Sequence, residues 1–316
     1  MFIKPALQIA SPSGGSSSLS ILIFHRVIPA PDPLFPSEVD SQMFDRLIGW
    51  ICQWFNVLPL ENAVARLREG TLPARAISIT FDDGYADNLL YAAPILVKHR
   101  ISATFFIATA FIDGGRMWND TIIESVRNTT ACTLDARFIG LDFLDISSVD
   151  RKRQALSQLI PAIKHLPAPE RADSVERVSA SCAATLPDDL MLTSNQLKEL
   201  RELGMDTGAH TVNHPILAKL DYRSARQEIA DSRDYLEHLL GERITLFAYP
   251  NGRRDSDYTD DHVSIARELG FTAAVTTNPG ISKKHTNVFE LPRFTPWDRT
   301  RTRFGLRLLQ NIIQSR

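Results

Sequence analysis

Two adjacent carboxylates, Asp82 and Asp83, follow the apolar run 76–80 and precede a glycine, in the stretch Thr80-Phe81-Asp82-Asp83-Gly84-Tyr85. Neighbouring side chains diverge on a regular strand, but past its end the backbone leaves the pleat and both carboxylates can face one pocket. Two like charges this close need a compensating cation. A divalent metal supplies one, holding one carboxylate as ligand and keeping the other ionised as a base. The alternative is a solvated turn, which Asp and Gly also favour. A second candidate is His210-Thr211-Val212-Asn213-His214-Pro215, after the strand-like run 205–209. The spacing of i and i+4 puts both imidazoles on one face of a helical turn, near enough to hold one ion. The plainer alternative has one histidine capping the turn and the other merely exposed.

Two further strand ends carry chemistry-bearing residues. Tyr249-Pro250-Asn251-Gly252 follows the apolar run 245–248. Such a turn can point a backbone N–H into a pocket, where it would stabilise a tetrahedral oxyanion and contact substrate. Taken alone it is only a tight turn. His25 ends the run 19–24, and a histidine there is suited to protonating a leaving group, although a structural role beside Arg26 is the alternative.

The elements that must position these residues alternate. Short β-rich runs at 19–24, 76–80, 103–107, 206–209, 245–248 and 272–276 read as buried strands. Helical apolar spacing occupies 41–54, 88–100, 195–203, 222–240 and 261–269, and Gly204, Gly241 and Gly270 stand where C-cap glycines belong. Strands alternating with helices imply parallel pairing, and enough repeats curl into a barrel whose strand ends share one rim. A doubly wound sheet is the other architecture consistent with this order. The rhythm breaks over about 112–193, which shows helical patterns such as 149–165 and no convincing strand, and reads as a helical insertion. Residues 1–18, with the serine-rich run 11–18, read as a flexible leader, so 19–316 is expected to form a single barrel domain.

Composition narrows the partners. With 44% hydrophobic and 23% charged residues the chain has the balance of a folded domain with a substantial core, not that of a disordered segment. A net charge of −2 gives no global attraction for nucleic acid. Cys52, Cys132 and Cys182 form no paired motif and read as small core side chains. No apolar run reaches the roughly 20 residues of a transmembrane span, and no secretory signal is visible, so a cytoplasmic location is expected. The carboxyl-terminal pattern, Arg299, Arg301, Arg303 and Arg307 with Phe304, Leu306, Leu308, Leu309, Ile312 and Ile313, predicts an amphipathic helix. It reads as a last helix packed on the barrel, with peripheral contact to anionic lipid as the alternative.

Taken together and in this order, the four strand-end motifs resemble the polysaccharide deacetylase family of carbohydrate esterases. The resemblance spans roughly 21–296, with 112–193 outside the shared motifs. It implies a distorted (β/α) barrel, Asp82 as base, and Asp83, His210 and His214 as ligands of a divalent metal, most simply zinc, with cobalt, nickel or iron also suited to such a site. The family's turn usually has an arginine where this chain has Ala248, and Arg293 in Leu291-Pro292-Arg293-Phe294 is the candidate substitute. The usual late histidine motif is not visible, and the early position of His25 resembles the rearranged branch that includes poly-N-acetylglucosamine deacetylases. The implied reaction is metal-dependent hydrolysis of N-acetyl groups from a carbohydrate, whether polysaccharide, oligosaccharide or lipid-linked sugar. Two alternatives stay open: an O-acetyl esterase or other amide hydrolase on the same residues, and a carbohydrate-binding barrel without turnover.

Overall fold

The computed structural model describes residues 3–314. By its contacts the chain divides into two compact units, one of residues up to 29, 39–113 and 192 onward, the other of 30–38 and 114–191. In chain order the first unit begins with α1 (Ile3–Ala10), β1 (Leu19–Phe24), α2 (Ser41–Trp54), β2 (Asn56–Val57), α3 (Leu60–Glu69) and β3 (Ala76–Phe81). It continues with a π-helical turn (Asn88–Ala92), α4 (Ala93–Lys98) and β4 (Thr104–Ile107). The second unit follows with α5 (Trp118–Asn128), β5 (Thr133–Asp135), β6 (Phe143–Asp145), α6 (Val149–Lys164) and α7 (Ala168–Cys182). The chain then returns to the first unit through α8 (Ser194–Glu202), β7 (Asp206–Ala209), α9 (Tyr222–Leu240), β8 (Leu246–Ala248), α10 (Asp260–Glu268), β9 (Ala273–Val275) and α11 (Arg301–Gln314).

Six strands run parallel in the order β1-β3-β4-β7-β8-β9, and β2 lies beside the start of β3. The sheet curls, and the irregular segment 288–294 bridges its two outer strands. Leu291 exchanges backbone hydrogen bonds with β9, and Phe294 does so with β1. The (β/α) barrel expected from strand–helix alternation is therefore the observed fold, closed by backbone with no regular strand of its own.

Alternation along the strands separates two apolar layers. Ile77, Ile79 and Phe81 of β3 face outward with Leu22, Phe24, Phe105, Ile107 and Phe247, and α2, α4, α8, α9, α10 and α11 cover this layer. Leu19, Ile21, Ala76, Phe106, Leu246, Ala248 and Val275 face inward with Leu60, Ala63, Val64 and Leu67 of α3. The inner layer is thus a packed core, and α3 contributes its floor. Helix starts follow from capping: Asp40 accepts from Met43 N–H, Asp221 from Ser224 N–H, and Thr193 forms a capping box with Gln196.

Four local expectations differ from the structure. The leader is ordered from residue 3, where α1 forms with Leu7 fully buried and Ile3 against Gly305 of α11, so an apolar stripe outweighs the serine-rich composition. Residues 1 and 2 of that expected leader lie outside the described residues. The segment 112–193 contains the antiparallel hairpin β5–β6 besides its helices, strands of three residues each that are too short to show alternation. It also has its own apolar core, built on Ile122, Val126, Leu134, Leu156, Leu159 and Val178. The helix expected over 88–100 begins with a π turn ahead of Pro94, whose ring cannot donate an N–H to a regular ladder. Among the three cysteines only Cys182 is buried, Cys52 is half-buried and Cys132 exposed, and all three are free.

Inside the barrel the backbone of β7 approaches Phe106 closely. A Cβ added at Gly208 would lie 2.4 Å from the Phe106 ring and 3.0 Å from the Leu246 carbonyl oxygen. Gly208→Ala should therefore lower stability by about 1–3 kcal/mol through overpacking, read as an earlier midpoint in urea denaturation. A midpoint equal to that of the parent chain would show that Phe106 has room to move.

Candidate metal centre and active site

Parallel register brings the strand ends of the first unit together. Phe24 pairs with Phe81, and Asp82 N–H donates to the Phe24 carbonyl, so His25 and Asp82 leave neighbouring strands side by side. Ala209 stands level with Ile107 and with Phe247, which places His210 beside the turn after β8. Asp82 continues the inward alternation of β3. Asp83 then adopts a left-handed φ of 78°, followed by Gly84 at 90°, and this reversal swings the second carboxylate towards the same space. Asp82 and Asp83 are both buried.

The Asp83 Oδ1 atom lies 3.5 Å from Nε2 of His210 and 3.5 Å from Nε2 of His214. One donor atom from each of these three residues falls within 4.8 Å of the others. A tetrahedral ion with bonds of about 2.0–2.1 Å has ligand–ligand edges of about 3.4 Å, so the Asp83 distances match those of an ion's coordination shell. The same Oδ1 is buried without a hydrogen-bond partner among the described residues. Such an orphan carries a desolvation penalty that a cation would relieve. His210 Nδ1 lies 2.7 Å from the Ala248 carbonyl oxygen, so Nδ1–H donates there and leaves the Nε2 lone pair directed at the cluster. The residues present fit a divalent metal.

Electrostatics agree with that arrangement. Burial pushes the Asp83 carboxyl up, but the facing His210 imidazole and then the His214 and His25 rings outweigh it, and the group ends well below the usual carboxylate range. Burial likewise opposes the proton on His210, yet Asp83 and Asp82 hold its pKa above the ordinary histidine value. His214 is pushed down to about 4, chiefly by its burial. Metal binding at this cluster would require both Nε2 atoms to be unprotonated.

The two histidines are not on a helical turn, which corrects the reading from their spacing. Thr211 has φ of 65° and His214 of 51°, so the segment 210–214 is an irregular loop with its ring centroids 4.8 Å apart. A conformation of this kind persists only when its surroundings over-determine it. Thr211 Oγ1 accepts from His214 N–H and donates to the His210 carbonyl. Glu228 of α9 accepts from Val212 N–H at 3.0 Å, Asn213 N–H at 2.9 Å and the Asn213 side-chain amide at 2.7 Å. No local signal in the sequence marks Glu228, because it lies among the exposed charges of a long helix.

Arg293 lies inside the barrel, 1% exposed, and grips Asp82 with two parallel bonds, Nη1 to Oδ1 and Nη2 to Oδ2, each 2.7 Å. Its Nε donates to the Thr276 carbonyl and its Nη1 also to Thr80 Oγ1. Burial raises the Asp82 carboxyl, but Arg293 and then His210 pull it down further than burial lifts it, so the group stays ionised below its ordinary value. His25 is exposed, and its backbone is held by Asn88, whose side-chain amide donates to the His25 carbonyl at 2.9 Å. Asp87 accepts from Arg26 Nε at 2.7 Å and Val27 N–H at 3.1 Å, while the Arg26 guanidinium covers the Tyr85 ring. Asp87 and Asn88 are a second pair of site residues that the sequence left unmarked, since they read as the start of a helix.

The turn after β8 separates into parts. Tyr249 is fully buried and stacks on Tyr258 with ring centroids 4.1 Å apart, so its side chain belongs to the core and cannot contact substrate. The outward alternation of β8 sends it there. Pro250 has no N–H, and Asn251, with φ of 59°, takes a bond from Thr277 on its carbonyl while its N–H meets no backbone acceptor among the described residues. Of the three candidates in this turn, the Asn251 N–H is the group able to serve an oxyanion.

The polysaccharide deacetylase family model matches residues 69–274, about two-thirds of the chain and every strand from β3 to β8. The chain belongs to the polysaccharide deacetylase family. As a member it is a hydrolase that deacetylates carbohydrate. A Bacillus subtilis protein named as a polysaccharide deacetylase, YxkH, is 22% identical over 301 residues, covering 92% of this chain and 78% of the relative. The fold is that of the Streptococcus pyogenes deacetylase PplD, solved with acetate, at a TM-score of 0.63 and 23% identity over 93% of this chain and 98% of that one. IcaB from Ammonifex degensii superposes at 0.61 with 18% identity and the same two coverages.

The Asp82–Arg293 contact predicts a large energetic effect. Arg293→Met leaves a buried carboxylate uncompensated and should destabilise this deacetylase by about 3–5 kcal/mol in chemical denaturation. A loss below about 1 kcal/mol, the size of a solvated surface pair, would show that water replaces the guanidinium.

Proposed function

We propose that the chain removes N-acetyl groups from a glycan by hydrolysis, with Asp83, His210 and His214 holding a divalent metal, zinc by ligand type. The observation that carries the proposal is the buried, unpartnered Asp83 Oδ1, which lies 3.5 Å from each of two imidazole Nε2 atoms. When bound, such an ion supplies a Lewis acid for the acetyl carbonyl and lowers the pKa of a nearby water. Cobalt, nickel or iron would also suit one carboxylate and two imidazoles.

The remaining work falls to the chain's own groups. Asp82 accepts the proton of the attacking water. Arg293 orients that carboxylate and keeps it ionised, which weakens it as a base, a loss that the acidified water offsets. The Asn251 N–H donates to the oxyanion as the carbonyl becomes tetrahedral. His25, exposed and beside Asp82, donates a proton to the departing sugar nitrogen, because an amine leaves poorly as an anion. The C–N bond breaks, the water oxygen stays on the acyl carbon, and acetate and a free amine result. Acetate, bound in the PplD structure, is the product this reaction releases.

Asp83→Asn, His210→Ala and His214→Ala should each weaken zinc binding severely, measured by competition with a chromogenic chelator. Full occupancy in all three would remove the metal assignment. Asp82→Asn should keep its metal and lose roughly 10²-fold to 10⁴-fold in acetate release from N-acetylglucosamine oligomers, and near-normal turnover would end its role as base. His25→Ala should lose activity on the N-acetyl sugar and retain it on an activated aryl acetate, whose leaving group needs little protonation. Parent-like rates on both substrates would refute the general-acid role.

A further inference from the structure

Away from the strand-end rim of the barrel, α1 and α11 pack together into a surface that the deacetylation chemistry does not use. Ile3 sits directly against Gly305, where a Cβ would come within 2.4 Å of its side chain. Phe304, Gly305, Leu308 and Ile312 form the buried face of α11. Leu306 and Ile313 point the other way, 54% and 51% exposed, with Ile9 of α1 at 77% and Trp297 ahead of α11 at 66%. These four are among the most exposed large apolar side chains of the unit, and three of them belong to two neighbouring helices.

Charge is segregated onto the same elements. Residues 3–10 and 297–314 contain five cations, Lys4, Arg299, Arg301, Arg303 and Arg307, against the single carboxylate Asp298. That balance of +4 occurs in a chain of net charge −2, so the rest of the chain carries −6. Arg303 is 80% exposed and shares Asp298 with Arg307, at 3.4 Å and 2.9 Å, while neither helix contains an acidic residue, so one carboxylate stands against two of the cations. Between the helices lies a cavity of about 330 Å³ lined by Ile3, Lys4, Gln53, Trp54, Arg301 and Thr302. Arg301 uses one N–H on Gln53 Oε1 and lies over the Trp54 ring, which leaves further guanidinium donors for an anion beside the Lys4 ammonium.

We infer that the α1–α11 face docks on an anionic lipid bilayer, with the Lys4–Arg301 cavity receiving a lipid phosphate headgroup. Apolar side chains on one flank, cations beside them and no carboxylate on either helix are what an interfacial helix requires. Docking of this kind holds the deacetylase at a membrane surface.

The test is flotation of the full chain with vesicles of phosphatidylcholine alone or mixed with an equal part of phosphatidylglycerol, at low and high salt. Binding is expected only to the anionic vesicles and is expected to fall as salt rises. Arg303→Gln should weaken partitioning roughly fivefold, the equivalent of about 1 kcal/mol per cation, and Leu306→Ser with Ile313→Ser should weaken it further. Arg151→Gln, an exposed cation of the other unit, should float like the parent. All variants should release acetate from a soluble oligosaccharide at the parent rate, which separates docking from catalysis. Absence of flotation at low salt, equal binding to neutral vesicles, or parent-like flotation of the Arg303 and Leu306/Ile313 variants each overturns the inference. Thermal stabilisation by inorganic phosphate in a chain that never floats would assign the cavity to a free anion and overturn it as well.

Discussion

The buried contact between Asp82 and Arg293 is the constraint around which the barrel is organised. A carboxylate and a guanidinium lie inside an apolar core, 3% and 1% exposed, and neither is tolerable there without the other. Asp82 directly follows β3, whereas Arg293 lies on 288–294, the irregular segment that hydrogen-bonds to β9 on one side and β1 on the other. Closing the barrel and neutralising the carboxylate are therefore one event. The bonds from Arg293 to Thr276 and Thr80 bring four of its five N–H donors into use, so the pair is largely satisfied as well as charge-balanced.

The same contact explains a departure from the family pattern. Where the family resemblance implies an arginine, this chain has Ala248, a small residue in the inner layer with Phe106 and Leu291. Arg293 enters that interior from the irregular closing segment 288–294 and lies near the Phe106 ring. The requirement belongs to Asp82 and is met by a guanidinium in the right place, whatever segment delivers it.

Strain concentrates where the candidate chemistry is. Asp83, Thr211, His214 and Asn251 all occupy left-handed backbone conformations, and each follows a strand of the barrel within a few residues. At those points the chain must turn side chains off the pleat and towards a common space. Rigid neighbours hold each turn: Ile107 packs against Gly84, Glu228 caps the histidine loop, and Thr277 bonds the Asn251 carbonyl. The second unit, built on its own core of α5, α6 and α7 with the β5–β6 hairpin, shows no such concentration among the described residues.

What the sequence by itself determined is what local periodicity and short motifs encode. The six parallel strands, the long helices such as α2 and α9, and the Asp82-Asp83 and His210–His214 elements are all legible because each signal lies within a few residues. The family resemblance raised Arg293 as a partner for Asp82, but 211 residues separate the two, and only barrel closure brings them to 2.7 Å. Glu228 and the Asp87–Asn88 pair act through bonds across the fold and leave no trace in their own neighbourhoods. Tyr249 looked like a rim residue by position, yet the face of β8 on which it falls sends it into the core. The order in α1 likewise depends on α11, at the opposite end of the chain. A side chain's partner depends on register, closure and which face of an element is covered, and those are properties of the assembled sheet rather than of any segment within it.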